Sequence, residues 1–309
     1  MRRGEFEAAW PHSDAALQAR AGQPCWHLPR HLQHIWTGGP LAGRRVLVRC
    51  YHGLGDTIQF ARYLPLLATV AAEVIVWAQP PLLPLLRTVP GITQLLPLHD
   101  GTPEAAYDVD VEIMELPHVF RTTLATIPTD IPYLHAEPLL LPRRPRQLAV
   151  GLVWQAGDWD ARRSIPFALL EPLAAVPGVQ LYILQANAEA AGWREGVGLN
   201  PGEFSLYDYA RLLRGLDLLI TVDSMPAHLA GALGVPVWTL LQAQADWRWL
   251  EGRADNPWYP TMQLFRQEQA GDWACVVTRV AAELGSPLVR PHPRPLPSGR
   301  GEPTESERR

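Results

Sequence analysis

Lysine is absent from this sequence, and all 27 basic side chains are arginine. No lysine Schiff base can form, and no P-loop lysine can reach a phosphate. A bound phosphate must be held by arginine, backbone N–H groups, histidine or hydroxyls. Cysteine is scarce. Cys25, Cys50 and Cys275 are odd in number, far apart and form no CxxC pair. That spacing argues against a disulfide framework or a zinc site and points to a reducing compartment. The net charge of −4 carries no basic excess of the kind nucleic-acid binding needs. No stretch approaches the roughly 18 apolar residues of a spanning helix. The N-terminal MRRGEFEAAWPHSD lacks the apolar core of a signal peptide. Neither GxSxG nor HExxH occurs, which argues against the common hydrolase classes. These absences predict a cytoplasmic protein with no nucleic-acid partner and no transmembrane segment, leaving peripheral membrane contact open.

What is present reads as globular. Apolar residues make up 47% and charged residues 19% of 309, enough for two α/β lobes with real cores. Residues 1–40 are rich in Trp, His and Pro and show little periodicity, so they read as a lead-in packed on the first lobe. From Arg44 the pattern changes to an alternation. RVLVRC, EVIVWA and TQLLP are short apolar runs suited to buried parallel strands, separated by the helical patterns TIQFARYLPLLATV and PLLPLLRTV. In the first of these helices Ile58, Ala61, Leu64 and Leu67 share a face, and Pro65 is placed to kink or divide it. PRRPRQ (142–147) punctuates the chain as an interlobe linker. The alternation then restarts with strands at 148–154, 179–185, 217–223 and 235–241. Helices are expected near 166–175, 205–215, 225–233 and 272–284. The predicted organisation is a first Rossmann-like lobe at 41–142, a second at 143–285, and a disordered Pro- and Arg-rich tail at 286–309. Two such lobes face each other across a cleft at the carboxyl ends of their strands.

Six segments could carry chemistry. DLLITVD ends in a carboxylate, and Asp223 or Ser224 can cap the helix that follows, with Pro226 in its first turn. The helix start offers N–H groups and a positive dipole end, which suit a diphosphate. His228 sits in that turn, where the dipole favours a neutral imidazole able to hydrogen-bond a ligand. In YHGLGD, with His52, Gly53 and Gly55, the glycines let the backbone turn sharply and approach a ligand. Asp56 then starts a helix facing the cleft, a position equally right for a cap and for a functional carboxylate. The GLG fragment lacks the third glycine of a dinucleotide fingerprint, because Ile58 stands there. GDWDARRSIP (157–166) follows a strand, and its Arg162 and Arg163 are suited to neutralising a leaving diphosphate, with Ser164 a further phosphate candidate. Asp108-Val109-Asp110 is a literal DxD, but it sits in the alternating run YDVDVEI and reads as a strand rather than a metal site. The aromatic clusters DWRWL (246–250) and NPWYP (256–260) read first as interlobe packing, with a base or sugar pocket as the alternative.

The order D-S-x-x-x-H-L-A-G-A-L-G-V-P-V, taken with GLGDTIQFARYLPLL, YDVDVEIMELP and GLVWQAGDWDARRSIP, resembles glycosyltransferase family 9, the heptosyltransferase family. The likeness runs from about Trp36 to Leu284 and is strongest to the branch usually found behind tetratricopeptide repeats. It implies a GT-B fold with the acceptor on the first lobe and a nucleotide-diphosphate sugar on the second. It implies inverting, metal-independent transfer to a glycan, lipid-glycan or protein acceptor, with no cofactor. On this resemblance Asp56 is the general base. Arg163 falls near the family's donor-binding lysine. Arg162, Ser164, Asp223, Ser224, Met225 and His228 belong with the donor, and His52, Gly53 and Gly55 form the acceptor-side turn. Two features depart from the pattern. Met225 stands where the family usually has a small residue, a place where a long side chain would crowd the phosphates. No tetratricopeptide repeats precede the matching region in this sequence. A nucleotide-sugar binding protein of the same fold, impaired in turnover, is the alternative reading.

Overall fold

The computed structural model describes residues 1–20, 35–142, 146–157 and 160–286. The expected linker therefore falls partly, and the expected C-terminal tail almost wholly, outside the described residues.

The first lobe is a four-stranded parallel sheet in the order β3-β2-β1-β4, built from β1 (Arg45–Arg49), β2 (Glu73–Ala78), β3 (Gln94–Pro97) and β4 (Val109–Glu112). The second is a five-stranded parallel sheet in the order β6-β5-β7-β8-β9. Its strands are β5 (Leu148–Val153), β6 (Val179–Ile183), β7 (Leu218–Val222), β8 (Val237–Leu241) and β9 (Met262–Arg266). The inner strands β1, β5, β7 and β8, together with β2, are rich in Val, Ile and Leu and buried on both faces, as parallel strands covered by helices must be, whereas the edge strand β3 is partly exposed. Helices are α1 (Phe6–Arg20), α2 (Leu54–Phe60), α3 (Leu64–Ala68), α4 (Leu83–Leu86), α5 (Leu116–Val119), α6 (Leu206–Arg214), α7 (Met225–Ala232) and α8 (Trp273–Leu284).

The helical run after β1 is divided next to Pro65, as its sequence suggests: α2 ends at Phe60, a 3-10 turn spans Ala61–Tyr63, and α3 restarts with Pro65 in its first turn. Ile58, Ala61, Leu64 and Leu67 nevertheless all face the core, each 0% exposed. The helix expected at 166–175 is two 3-10 segments, Phe167–Leu169 and Glu171–Ala175, with Pro172 at the start of the second. A ninth strand, β9, extends the second sheet beyond the expected four.

The lead-in contains a 15-residue helix, α1, and it touches both lobes. Asp14 accepts from His118 and twice from Arg121 of the first lobe. Phe6 packs against Trp247 and Trp258 of the second. One continuous apolar core runs between the sheets and contains residues of α1, α2, α3, α6 and α7 together with Trp249, Trp258 and Tyr259. Arg62 is buried in it, giving hydrogen bonds to the carbonyls of Gln59, Pro128 and Trp258 and to the Tyr133 hydroxyl. These bonds satisfy a cation that burial would otherwise strongly penalise.

Strand order sets where a ligand can sit. In the first sheet the order reverses between β1 and β4, and in the second between β5 and β7. Loops at the carboxyl ends of strands flanking a reversal diverge and leave a crevice. The YHGLGD turn follows β1, and the Asp223–Ser224 turn follows β7, so both motifs occupy switch points.

Candidate functional site

The chain leaves β1 at Cys50 and enters α2 through Gly53, whose backbone is extended (φ −61, ψ 154). Asp56 is the third residue of α2. Its Oδ2 accepts from the Gly53 N–H at 3.1 Å, the N3 half of a capping box, since glycine has no side chain to return the bond. Its Oδ1 accepts from Arg248 Nη2 at 2.7 Å, and Arg248 belongs to the second lobe. Asp56 is therefore both a helix cap and an anion paired across the lobes. Gly55 is required by contact. A Cβ built there would lie 2.9 Å from His228 Cδ2 and 3.4 Å from Met225 Cα. The missing side chain lets the start of α2 sit directly on the start of α7. His52 turns the other way, with Nε2 2.9 Å from Glu112 Oε2, and Glu112 also accepts from buried Arg49. Asp108 and Asp110 are separately occupied. Arg45 grips Asp108 and holds its carboxyl down at about 2, and Asp110 lies 2.6 Å from Arg49 Nε. Among the described residues no group of three His, Cys, Asp or Glu side chains is placed to hold a metal ion.

In the second lobe, β7 delivers Asp223 to a position only 8% exposed. Burial pushes its carboxyl up to about 6, against the opposing pull of Trp249 and Arg163. Ser224 occupies the N-cap position of α7 without capping it. Its hydroxyl donates to the Val222 carbonyl at 3.1 Å instead. Pro226 has no N–H, and the Ala227 N–H returns to the Ser224 carbonyl. The positive end of α7 thus carries no side-chain cap, which leaves its potential directed at whatever enters the crevice. Met225 is half-buried against the core and also lines the adjoining cavity. His228 is buried, with Nδ1 3.1 Å from the Tyr259 hydroxyl and its ring stacked on Trp249 at 5.1 Å. Burial first, then the cations Arg248, Arg62 and Arg163, hold its pKa well below the usual histidine range. The imidazole is neutral mainly through desolvation.

The two neighbouring arginines part company. Arg163 is 7% exposed and donates to the Asp223 carbonyl at 3.0 Å, bracing the β7–α7 turn. Arg162 has a side chain 71% exposed and pairs with Asp160 through Nε and Nη2, while Asp160 also accepts from Gln242. Ser164 accepts from the Ala156 N–H at 3.2 Å. Asp158 and Trp159 of the same segment lie outside the described residues.

The α7 start opens onto a cavity of about 350 Å³ lined by Gln155, Gly157, Ser224, Met225 and Pro226 among others. It shares Leu184, Gln185, Ala186, Phe204 and Tyr209 with a larger neighbour of about 590 Å³, which adds Asn187, Glu189, Asn200 and Glu203. Gln185 Oε1 ties the two strand ends by accepting from the Trp154 and Gln155 N–H groups. Among the described residues neither cavity is lined by a cationic side chain. Their carboxamides, carboxylates and Phe204 ring suit a neutral heterocycle and a ribose better than a phosphate. Sequence reading missed Gln185, Glu189, Phe204, Tyr209 and Arg248. Only Gln185 carried a local signal, as a polar residue at the carboxyl end of a buried strand.

Residues 184–277 match the family model described as glycosyltransferase family 9 (heptosyltransferase). Protein FlbA of Caulobacter vibrioides is 28% identical over 285 residues, covering 81% of this chain and 48% of FlbA. The chain thus spans about half the length of that curated relative. A family 9 glycosyltransferase structure from Veillonella parvula aligns with a TM-score of 0.56 at 15% identity, over 79% of this chain and 97% of that one. The ADP-heptose LPS heptosyltransferase II structure from E. coli aligns with a TM-score of 0.53 at 16% identity, over 78% and 97%. Two parallel α/β lobes meeting at their switch points are the GT-B architecture of these glycosyltransferases, and the family match falls on the lobe that carries the uncapped helix and its cavities.

Proposed function

We propose that the chain is a glycosyltransferase that moves a sugar from a nucleotide-diphosphate sugar to an acceptor hydroxyl, with inversion and without a metal. The observation that carries this reading is the start of α7. It is an uncapped helix N-terminus, open to a nucleoside-sized cavity and pressed against the turn that bears Asp56. The diphosphate would meet the helix terminus at Ser224 and Met225, where the dipole favours negative charge. The nucleoside would extend toward Gln185, Glu189 and Phe204. Arg163 would act through the turn it braces, adding positive potential without direct contact.

Asp56 would take the proton of the acceptor hydroxyl as that oxygen bonds to the anomeric carbon. The bond from that carbon to the diphosphate oxygen breaks, and its electron pair leaves with the nucleoside diphosphate. Attack opposite the leaving group inverts the centre. A glycan, lipid-glycan or protein acceptor would approach from the first lobe beside His52 and Gly53, in the cytoplasm. Donors of the ADP-heptose kind, and kinship with the branch that follows tetratricopeptide repeats, belong to this reading. One observation favours a second reading, a donor-binding protein impaired in turnover: Met225 stands at the helix terminus.

The test is release of nucleoside diphosphate from a panel of ADP-, UDP- and GDP-sugars, with water or an acceptor extract. Turnover by the wild type, lost in Asp56→Asn with donor affinity nearly unchanged, is the expected result. Binding without turnover under all conditions would establish the second reading instead.

A further inference from the structure

The segment after β8 runs Asp246-Trp247-Arg248-Trp249-Leu250. Asp246 caps its 3-10 turn by accepting from the Arg248 N–H at 3.0 Å. Leu250 then takes a left-handed backbone (φ 47), a conformation a branched side chain rarely adopts. The turn places Arg248 at the meeting of the lobes with a side chain only 11% exposed. The guanidinium has two carboxylate partners. Nη2 donates to Asp56 Oδ1 at 2.7 Å, and Nη1 to Asp246 Oδ1 at 2.9 Å. Its carbon lies 5.4 Å from the Phe60 ring centre and 5.3 Å from that of Trp247, one ring from each lobe. The flanking Trp247 packs on Phe6 and Phe60, and Trp249 stacks on His228.

We propose that Arg248 is a positioning residue for Asp56. The inference rests on the proposed function, in which Asp56 receives a proton. A carboxylate on the first turn of a short helix, with a side chain 27% exposed, is free to rotate unless both oxygens are held. The Gly53 N–H holds Oδ2 and Arg248 holds Oδ1. Each oxygen keeps a second lone pair, so the group stays able to accept a proton while its direction is set. Arginine suits the task because it stays charged throughout the working pH range and its planar fork reaches two carboxylates at once, which an ammonium does less well. The contact also makes the direction of the carboxylate depend on how the lobes meet, since Asp56 belongs to the first lobe and Arg248 to the second.

The experiment uses the full chain, whichever of the ADP-, UDP- or GDP-sugars the wild type turns over, and the variants Arg248→Met and Arg248→Lys. The expected result for Arg248→Met is a kcat lower by about 100-fold, the scale of a misplaced catalytic group, with donor KM within about threefold. Arg248→Lys should fall between, and guanidinium ion at millimolar concentration should restore part of the Arg248→Met turnover. In an Asp56→Asn background Arg248→Met should add no further loss. Circular dichroism checks folding, and if the methionine variant does not fold, the lysine variant carries the same comparison. A raised KM at unchanged kcat would overturn the inference by making Arg248 a donor ligand, and so would a loss additive with Asp56→Asn. A wild type that turns over no donor overturns the functional reading and this inference together. Wild-type turnover with either adverse variant result overturns this inference alone.

Discussion

Replacing Asp223 by asparagine should stabilise the protein at neutral pH and leave it unchanged in acid. The carboxyl is 8% exposed, and burial raises it from 3.8 to about 6. At about 1.36 kcal/mol per pKa unit, the ionised form costs the fold about 3 kcal/mol. The sign follows from proton binding. Between about pH 4 and 6 the folded protein holds a proton that the unfolded chain has released, so stability falls as pH rises through that window. Above 6 both states are ionised and the cost is constant. Below 4 both are protonated and the cost vanishes. Asparagine has the shape of the neutral acid and never ionises. Wild type and variant should therefore melt together near pH 4 and separate progressively up to pH 6. They should then stay apart by several degrees, since a chain of this size shifts by roughly 1.5 °C per kcal/mol. Melting curves by circular dichroism from pH 4 to 8 measure this. Other titrating groups, His228 included, cancel in the difference. A difference independent of pH, or a variant less stable than wild type at pH 7.5, would refute the reasoning.

Two further predictions concern packing and the pocket. In Gly231→Ala the new Cβ would lie 2.3–2.8 Å from carbons of the Tyr259 ring, too close for either to stay in place. Overpacking of that kind costs about 1–3 kcal/mol, so the melting temperature should fall; an unchanged value would show that the α7–Tyr259 contact is looser than described. Phe204→Ala should weaken nucleoside diphosphate binding by about tenfold, the scale of a lost stacking contact, while leaving pyrophosphate binding untouched. Equal weakening of both in titration calorimetry would place the base elsewhere.

Much of the fold was legible because its strands are continuous apolar runs. EVIVWA was expected as a strand and forms β2 from Glu73 to Ala78. β9 was missed because TMQLFR alternates polar and apolar residues at the edge of the sheet, with no continuous apolar signal. α1 was missed for a different reason. Its sequence holds Pro11 and no sustained apolar stripe, and it is held by distant partners: Phe6 on Trp247, Trp10 on the Thr122 carbonyl and Asp14 on Arg121. The site divides along the same line. Gly55, Asp56, Ser224 and His228 announced themselves through turn and helix-start chemistry, which is local. Arg248 did not, because its partner Asp56 is 192 residues away. Arg162 and Arg163 are adjacent in sequence and equal in type, yet one is solvated and the other buried beneath a turn. Nothing in the pair itself distinguishes them.

In the proposed function the start of α7 receives the diphosphate of a nucleotide sugar. A crystal structure of the protein with whichever of ADP, UDP or GDP binds most tightly tests it directly. Phosphate oxygens should lie within hydrogen-bond distance of the backbone at Ser224 and Met225, with the nucleoside against Phe204 and Gln185. Failure of all three to bind, or a nucleotide seated away from α7, would contradict it.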